Sequence, residues 1–519
     1  MDNSFLTASI HILDDDSLLN VFLLYRPFIL GEDEDEDERL WGGSRGWELG
    51  RWWYRLSHVC QRWRRVILGS PSYLRISLVC AIGTPVANML AHSPSLPLDI
   101  DYFDQNGIAT EDEEGAILAL KQYSRVRRVR FIIHATSLQK LIVAMDDEYP
   151  ILDYLVISHP DEDKSSISQL PETLEAPNLR HLYLRGFALP MGSRLLAAAV
   201  GLVTLCLDMV HLSTYFHPNI LLRWLSSMPQ LEMLMIHFQF PVPSRNLERQ
   251  LTHTPIVTHI TLPNLRHFLF RGVGTYLETL VHRITGTTPR LERLQVFFFN
   301  QLTYSVTRLL QFMNATDDLT FKSAKFMFSD KELYVDLYPL EPDVELYPHE
   351  EAEMYTLSVA VECWHLDWQV FAAAQIFNSL SPLFSAVEHL TLEHLEHSRS
   401  SEEHNEADRT EWRQLLGSFR NAKTLWIDEG LFEELSRCLE LDDGVLPLEL
   451  LPELQELTYS GSGNTGDAFT SFIDARQDAG RPVTLVRRSP SPGRSSSVSP
   501  LESPPTTPAS DKAGTDPVI

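Results

Sequence analysis

A short apolar phrase recurs through most of this 519-residue chain, and it constrains the fold more than any other feature. The phrase is apolar-x-x-apolar-x-apolar, often preceded by proline and followed by a longer segment of partly helical composition. Its ten copies are Val126/Val129/Phe131, Leu152/Leu155/Ile157, Leu179/Leu182/Leu184, Leu202/Leu205/Leu207, Leu231/Leu234/Ile236, Leu265/Phe268/Phe270, Leu291/Leu294/Val296, Val387/Leu390/Leu392, Ala422/Leu425/Ile427 and Leu454/Leu457/Tyr459. In the regular part, successive copies begin 26, 27, 23, 29, 34 and 26 residues apart, which indicates one repeated structural unit.

Each phrase is interpreted as a short strand that points its apolar positions into a shared core and alternate residues to the other face of a sheet. The phrase and its period are typical of leucine-rich repeats. We therefore predict an α/β fold, with a leucine-rich-repeat-like solenoid and a parallel sheet over residues 75–487 and a degenerate section near 315–365. An ordinary doubly wound α/β domain gives a similar alternation, but it does not keep a proline before so many strands.

Three shifts of composition punctuate the chain. Residues 32–38 are seven consecutive acids, and with the glycine-rich residues after them they predict a solvated insert over 31–50. The acidic, proline-bearing stretch 333–353 predicts a surface loop or an edge hairpin. Serine, proline and threonine dominate the end of the chain, so residues 488–519 are predicted to be a disordered tail.

Charge and cysteine content exclude several classes of function. The chain has 43 Lys and Arg against 70 Asp and Glu, a net charge of −27 that repels nucleic acid and anionic lipid. The longest apolar stretch, about 195–207, is shorter than the ~20 residues of a membrane helix, and the N-terminus does not resemble a signal peptide. Five scattered cysteines form no metal or redox pair. We expect a protein of the cytoplasm, the nucleus or both, without a cofactor.

Two apolar helices are predicted near the N-terminus. The first runs from the acids at 14–16 to about Tyr25 and is apolar on nearly every side, so it must be covered on more than one side. The second has an apolar stripe formed by Trp52, Leu56, Val59, Trp63 and Val66. About 70 residues of this kind bury little on their own, so we expect them to pack on a partner, on the repeats, or on both.

The N-terminal sequence resembles the F-box motif. Residues 13–22 read Leu-Asp-Asp-Asp-Ser-Leu-Leu-Asn-Val-Phe, and residues 56–67 read Leu-Ser-His-Val-Cys-Gln-Arg-Trp-Arg-Arg-Val-Ile. They are similar to its Leu-Pro-x-Glu-x-Leu-x-x-Ile-Phe opening and its Leu-x-x-Val-Cys-x-x-Trp-Arg second half, with Asp14 in the usual place of proline. Phrases at 70–80, 83–90, 319–326 and 366–370 resemble the F-box families of mushroom-forming fungi, so the resemblance spans nearly the whole chain apart from the tail.

The resemblance implies that residues 8–70 bind a Skp-type adaptor, and through it a cullin-RING ubiquitin ligase, while the repeats hold an unknown protein substrate. The chain is then a substrate receptor that acts by proximity, and not an enzyme. The alternative is a leucine-rich-repeat scaffold without a ligase, in which the same helices cap the repeats. The residues implied for adaptor binding are Leu13, Leu18, Leu19, Val21, Phe22, Leu56, Val59, Cys60, Trp63 and Val66.

Two further sets of residues are candidates for recognition and regulation. Outward strand positions that carry methionine, aromatic or basic side chains are typical of an interface core. They are His181, Tyr183, Arg185, Met233, Met235, His237, His267, Arg271, Phe297 and Trp426. Five tail hydroxyls that precede proline are candidates for phosphorylation: Ser489, Ser491, Ser499, Ser503 and Thr507.

Three short motifs match catalytic or metal-binding patterns, but their sequence context favours ordinary structural roles. The glycines of 461–466 fit a dinucleotide-binding pattern, but Arg487 stands where an acid is expected and the chain leaves no room for a Rossmann sheet. Residues 42–46 match a nucleophile elbow without a preceding strand. His389 and His394 are separated by an odd number of positions and are predicted on opposite faces of a strand, which argues against a zinc site.

Overall fold

Sixteen strands form one sheet in the computed structural model of this mixed α/β protein. The structure describes residues 13–25, 52–104, 108–159, 168–190, 192–211, 215–239, 259–284, 291–316, 319, 321–339, 355–395, 409–440, 450–460 and 468–488. These residues contain fifteen α-helices and eighteen strands.

The strands are β1 (Leu78–Ala81), β2 (Leu98–Asp104), β3 (Val126–Ile133), β4 (Tyr154–Ser158), β5 (Ser168–Gln169), β6 (His181–Arg185), β7 (Phe187–Ala188), β8 (Thr204–Val210), β9 (Met233–Phe238), β10 (His267–Gly272), β11 (Arg293–Phe298), β12 (Ser323–Ser329), β13 (Glu332–Tyr338), β14 (Leu357–Glu362), β15 (His389–Leu395), β16 (Thr424–Ile427), β17 (Glu456–Ser460) and β18 (Thr484–Arg488).

The helices are α1 (Asp15–Tyr25), α2 (Trp52–Ser57), α3 (Gln61–Gly69), α4 (Pro71–Leu74), α5 (Val86–His92), α6 (Thr110–Leu120), α7 (Ala135–Val143), α8 (Arg194–Ala198), α9 (Pro218–Leu225), α10 (Gly274–Val281), α11 (Thr307–Asn314), α12 (Leu366–Leu380), α13 (Arg409–Leu416), α14 (Phe432–Leu439) and α15 (Thr470–Asp478). None of these helices is long and apolar enough to cross a membrane.

The sheet is mostly parallel, and its strand order follows the chain almost throughout. The order is β1-β2-β3-β4-β6-β8-β9-β10-β11-β14-β13-β12-β15-β16-β17-β18. Its antiparallel pairings are β12 with β13 and β13 with β14. The short strands β5 and β7 form a separate parallel pair. Since neighbouring parallel strands end on the same side, their ends define one border of the sheet, which we call the carboxyl edge.

Each of the ten apolar phrases coincides with a strand of the large sheet, and all thirty of their apolar side chains are buried. They share one continuous core with the apolar sides of the helices. Helices lie in the segments between strands, as the partly helical composition of those segments predicted, and α7, α9 and α12 are examples. The buried side chains of the strands therefore face the apolar sides of the helices across this core.

The irregular section differs from the prediction. Residues 333–338 are neither a surface loop nor an edge hairpin, because β13 lies inside the sheet between β12 and β14. Leu333, Val335 and Leu337 alternate along it and are buried in the main core, whereas Glu332 and Asp336 point to the other face. These acids mask a strand pattern of period 2 when only the composition is considered.

The second predicted N-terminal helix is also wrong as one continuous element. It is interrupted between α2 and α3, where Cys60 has an extended backbone and its sulfur accepts a hydrogen bond from the amide of Trp63. Cys60 is thus the N-cap of α3. The break leaves Val59 exposed outside both helices, although the helical spacing placed it in the apolar stripe. The first predicted helix is confirmed as α1.

Candidate binding surfaces

The large sheet has a second face, which is opposite the helix-packed core. One buried apolar cluster on this second face is formed by strand residues: Ile132, Val156, Tyr183, Cys206, Met233, Met235 and Leu269. Register aligns them in rows, so that Tyr183 is directly beside Cys206 and Cys206 is beside Met235. Parallel strands less than about 5 Å apart bring such side chains into contact along the whole row.

The ten candidate substrate residues lie on this second face or at its ends, and they differ in exposure. Tyr183, Met233 and Met235 are buried, because neighbours in the same row cover them. The alternation therefore identifies their face of the sheet, but the predicted exposure is not observed for these three. Partly exposed positions are His181, Arg185, His237, His267, Arg271, Phe297 and Trp426.

Asp208 is the centre of a polar network on the second face. Its carboxylate accepts a hydrogen bond from the hydroxyl of Tyr183 at 3.1 Å and lies 3.3 Å from Nδ1 of His237. Nε of Arg185 is 3.6 Å away, and the amide of Met209 donates to the same carboxylate at 2.9 Å. Three candidate substrate residues on two strands are thus connected through one acid that no sequence pattern singled out.

A break in the strand register lies beside this acid. The pairing of β8 with β9 shifts between Leu207 and Val210, and Met209 has a left-handed φ of 51°. Bulges of this kind re-aim neighbouring side chains. Burial alone raises the pKa of Asp208, but the hydrogen bond and charge of His237, with Arg185 and Tyr183, outweigh it and hold the pKa below its ordinary value.

Arg271 forms a second polar group nearer the middle of the sheet. Its guanidinium carbon lies 4.3 Å from the ring centroid of Phe297 and 5.8 Å from that of Phe299. One of its terminal nitrogens is 3.5 Å from Oε2 of Glu362, which is the long limit of a hydrogen bond. Two predicted residues, Arg271 and Phe297, are therefore brought into direct contact.

A lysine and a glutamate are paired farther along the same face. Nζ of Lys325 on β12 lies 3.5 Å from Oε1 of Glu393 on β15, and both residues are buried. Thr391, on the same face of β15, is beside Trp426 on β16. The sequence carries a signal for this pair, since Lys325 and Glu393 occupy positions that alternate with core residues.

The adaptor-binding candidates divide into an inner and an outer group. Leu18, Phe22, Leu56 and Val66 are buried within the chain. Val21 and Val59 are exposed, as are other apolar residues of the N-terminal helices. The remaining candidates, which are partly exposed, are Leu13, Leu19, Cys60 and Trp63.

Several predicted features lie outside the described residues. These are the insert at 31–50, the motifs at 42–46 and 461–466, and the tail with Ser489, Ser491, Ser499, Ser503 and Thr507. Within the described part of the chain, no group of three or more His, Cys, Asp or Glu side chains could hold a metal ion. None of the five cysteines, all of which are among the described residues, forms a disulfide, and four of them are buried.

No protein-family model matches this chain, and no curated protein matches it either.

Proposed function

We propose that the chain is the substrate-receptor subunit of a Skp-cullin-F-box ubiquitin ligase. In this proposal the N-terminal helices bind the adaptor, the second face of the sheet holds a target protein, and no residue of the chain is catalytic. One observation carries the proposal: α1 buries Leu18 and Phe22 but leaves Val21, Leu24 and Tyr25 exposed. A helix that is apolar all round and covered on one side calls for a partner on the other.

Other elements of the N-terminal region also carry exposed apolar residues. We call the N-terminal apolar surface the set Val21, Leu24, Tyr25, Tyr54, Val59 and Tyr73. The hydroxyl of Tyr73 on α4 donates to the side chain of Asn20 on α1 at 2.9 Å, which ties two of the contributing helices together. The resemblance to the F-box motif selects a Skp-type adaptor as the occupant of this surface.

The fold details support a leucine-rich-repeat-like solenoid as the substrate-binding part. Asn178 donates a side-chain hydrogen bond to the carbonyl of Pro150, and Asn264 donates to that of Pro229, so asparagines before two strands link successive units in the same way. Consecutive units also pair in parallel over most of the sheet. Stacked units of this kind form extended surfaces on which proteins bind.

The proposed mechanism is proximity. The adaptor fixes one end of the receptor to the ligase, and the second face holds the target, so the lysines of the target are kept at a high effective concentration near the ubiquitin donor. The chain's own contribution is binding energy and geometry. A target bound across several strands is held more rigidly than one bound at a single loop, which keeps its lysines within reach.

A repeat scaffold without a ligase is the second candidate, and a specific contact favours it. The indole nitrogen of Trp53 on α2 donates to the carbonyl of Ser77, directly before β1, at 3.2 Å. Leu18, Phe22 and Trp53 belong to the same continuous core as the sheet. Helices packed in this way can serve as the N-terminal cap that terminates a repeat array.

Copurification with a recombinant Skp-type adaptor tests the two candidates. Val59→Asp places a charge in the N-terminal apolar surface, and Val143→Asp is its matched control, since the two valines are 59% and 62% exposed. The receptor proposal expects the adaptor to bind the native chain and the Val143→Asp variant, with at least about tenfold weaker binding to Val59→Asp. A native, folded chain that retains no adaptor would leave the scaffold as the better description.

A further inference from the structure

Two paired glutamates and two exposed tryptophans lie near one another in the chain at the carboxyl edge of the sheet, away from the Asp208 network. Glu332 begins β13 and Glu362 ends β14, so the antiparallel pairing places them together. Trp364 lies in the connection from β14 to α12, and Trp368 lies in the first turn of that helix. We call Glu332, Glu362, Trp364 and Trp368 the acidic aromatic edge.

The two glutamates are direct cross-strand partners. Like charges in this position repel each other, so the arrangement is unfavourable unless a cation is near. Glu362 is 3.5 Å from a terminal nitrogen of Arg271, and Glu332 accepts a hydrogen bond from the hydroxyl of Tyr334. One guanidinium offsets one of the two carboxylates, the phenol is neutral, and the ammonium of Lys331 lies over the ring of Trp364, so the pair keeps unbalanced negative charge.

The two tryptophans are exposed to an unusual degree for large aromatic residues. Trp364 is 62% exposed and Trp368 is 41% exposed. The ammonium nitrogen of Lys331 lies 5.7 Å from the ring centroid of Trp364, within the range of a cation–π contact. An indole of this edge therefore already accepts a cation from the chain itself. Exposed tryptophans of this kind are typical of the anchor positions of binding surfaces.

We infer that the acidic aromatic edge binds a lysine- or arginine-bearing polypeptide segment of a partner protein. A side-chain cation near Glu332 and Glu362 relieves their repulsion, and a second cation or an apolar residue covers an indole. The net charge of −27 attracts basic segments over a longer range. The inference rests on the proposed function for its biological meaning, because it names the chemical class of target that the receptor holds.

Fluorescence anisotropy with the full-length protein tests this inference. The probe is a labelled peptide of three Gly-Arg-Leu-Lys repeats, and its neutral counterpart carries Gln in place of every Arg and Lys. We expect the basic peptide to bind at least about tenfold more tightly than the neutral one, with an affinity that falls as salt is raised. Equal binding of both peptides would indicate an apolar patch without charge recognition and would overturn the inference.

Two pairs of variants locate the binding. Trp364→Ala with Trp368→Ala, and Glu332→Gln with Glu362→Gln, should each weaken binding of the basic peptide about tenfold. The control, Glu292→Gln with Glu453→Gln, removes the same charge from acids that lie before β11 and β17, away from the carboxyl edge. If the control weakens binding as much as the edge variants do, the peptide responds to net charge alone and the inference fails.

Stability and oligomeric state complete the test. The Glu332→Gln and Glu362→Gln double variant should melt at the same or a higher temperature than the native chain, because a repulsion is removed. Loss of a concentration-dependent dimer in the tryptophan variant would assign the edge to a second copy of the chain and overturn the inference. Adaptor copurification from the same preparations separates the two proposals. A protein that binds the basic peptide but retains no adaptor would reject the ligase proposal and leave the peptide-binding inference standing.

Discussion

The indole ring of Trp63 packs edge-on against the phenyl ring of Phe22, with ring centroids 4.9 Å apart. This contact joins α1 to α3 across the long segment between them. The guanidinium of Arg62 strengthens the junction, since it donates to the carboxylate of Asp15 at 2.8 Å and to the carbonyl of Leu13 at 2.6 Å. The two halves of the F-box-like sequence are thus held together within the chain itself.

Trp63→Ala should therefore destabilise the fold. Removal of a large aromatic side chain from a packed junction costs about 3 kcal/mol of the free energy of unfolding. Urea denaturation monitored by near-UV circular dichroism measures it, with exposed Tyr54→Ala as the control. A Trp63→Ala variant with native stability would show that the ring contact does not hold α1 in place. Because Trp63 is structural here, loss of adaptor in this variant alone would not identify a contact residue.

The fully buried guanidinium of Arg476 on α15 caps the carbonyl groups that precede β17. It donates to the carbonyls of Leu451 at 3.0 Å and of Pro452 and Leu454 at 3.1 Å. Arg476→Met keeps much of the side chain's volume but leaves these acceptors unsatisfied, so we expect a loss of about 3 kcal/mol in the free energy of unfolding. Hydrogen exchange should become faster in β17 and β18.

Arg481→Met is the matched control for this prediction. Arg481 forms an ion pair with Glu453 at 3.1 Å, but its side chain is 54% exposed. Exposed pairs contribute about 0–1 kcal/mol, so this variant should change stability little. Equal effects of the two substitutions would contradict a special role for the buried arginine.

Gly186 occupies a position that other residues fit poorly. Its φ is +75°, and a Cβ there would lie 2.4 Å from Nε2 of His159. Gly186→Ala should lower the free energy of unfolding by about 1–2 kcal/mol, because strain and crowding add. Gly201→Ala is the control, since a Cβ at Gly201 meets no atom within 4 Å. Differential scanning calorimetry of both variants checks the expectation, and equal melting temperatures would refute it.

The sequence predicted the strands well because their signal is local. In the phrase Leu231/Leu234/Ile236, as in the other nine, apolar residues at fixed spacing can bury themselves only as a strand in a common core. The strand β13 was predicted as a surface loop or an edge hairpin because acids occupy alternate positions along it, and its place inside the sheet depends on its pairing with β12 and β14. The break at Cys60 was missed because a cysteine N-cap carries little sequence signal.

The candidate sites were less predictable than the strands. Alternation placed Tyr183 and Met235 on the correct face, but their burial depends on neighbours in other strands. Asp208 joins Tyr183 to His237 across the neighbouring strands β6, β8 and β9, and no local pattern of the sequence indicates this contact. The acidic aromatic edge requires an antiparallel pairing of Glu332 with Glu362, and the repeat pattern predicts parallel neighbours.

Two partly buried aspartates should respond to acid in opposite directions. The pKa of Asp208 is held below its ordinary value of 3.8 by its hydrogen-bond partners, although burial opposes this. The pKa of Asp153 is raised, because burial outweighs the nearby charges of Arg127 and Arg128. A carboxyl group whose pKa is lowered on folding stabilises the fold at pH values above its ordinary pKa. That stabilisation is lost as the pH falls through the pKa of the folded state. A carboxyl group whose pKa is raised on folding instead lowers the stability at neutral pH.

Asp208→Asn should therefore destabilise the protein at about pH 7, and its difference from the native chain should shrink as the pH falls below about 4. Asp153→Asn removes a charge that burial disfavours, so it should be neutral or stabilising at neutral pH, and this advantage should disappear on acidification because the native carboxyl is then protonated. Urea midpoints of the three proteins between neutral pH and about pH 3 measure both effects.

Because all other carboxyl groups titrate alike in the three chains, the comparison uses only the differences in urea midpoint between each variant and the native chain. Parallel pH profiles for the two variants would contradict the opposite roles of these aspartates, and a native-like profile for Asp208→Asn would show that the Tyr183–Asp208–His237 network adds no stability.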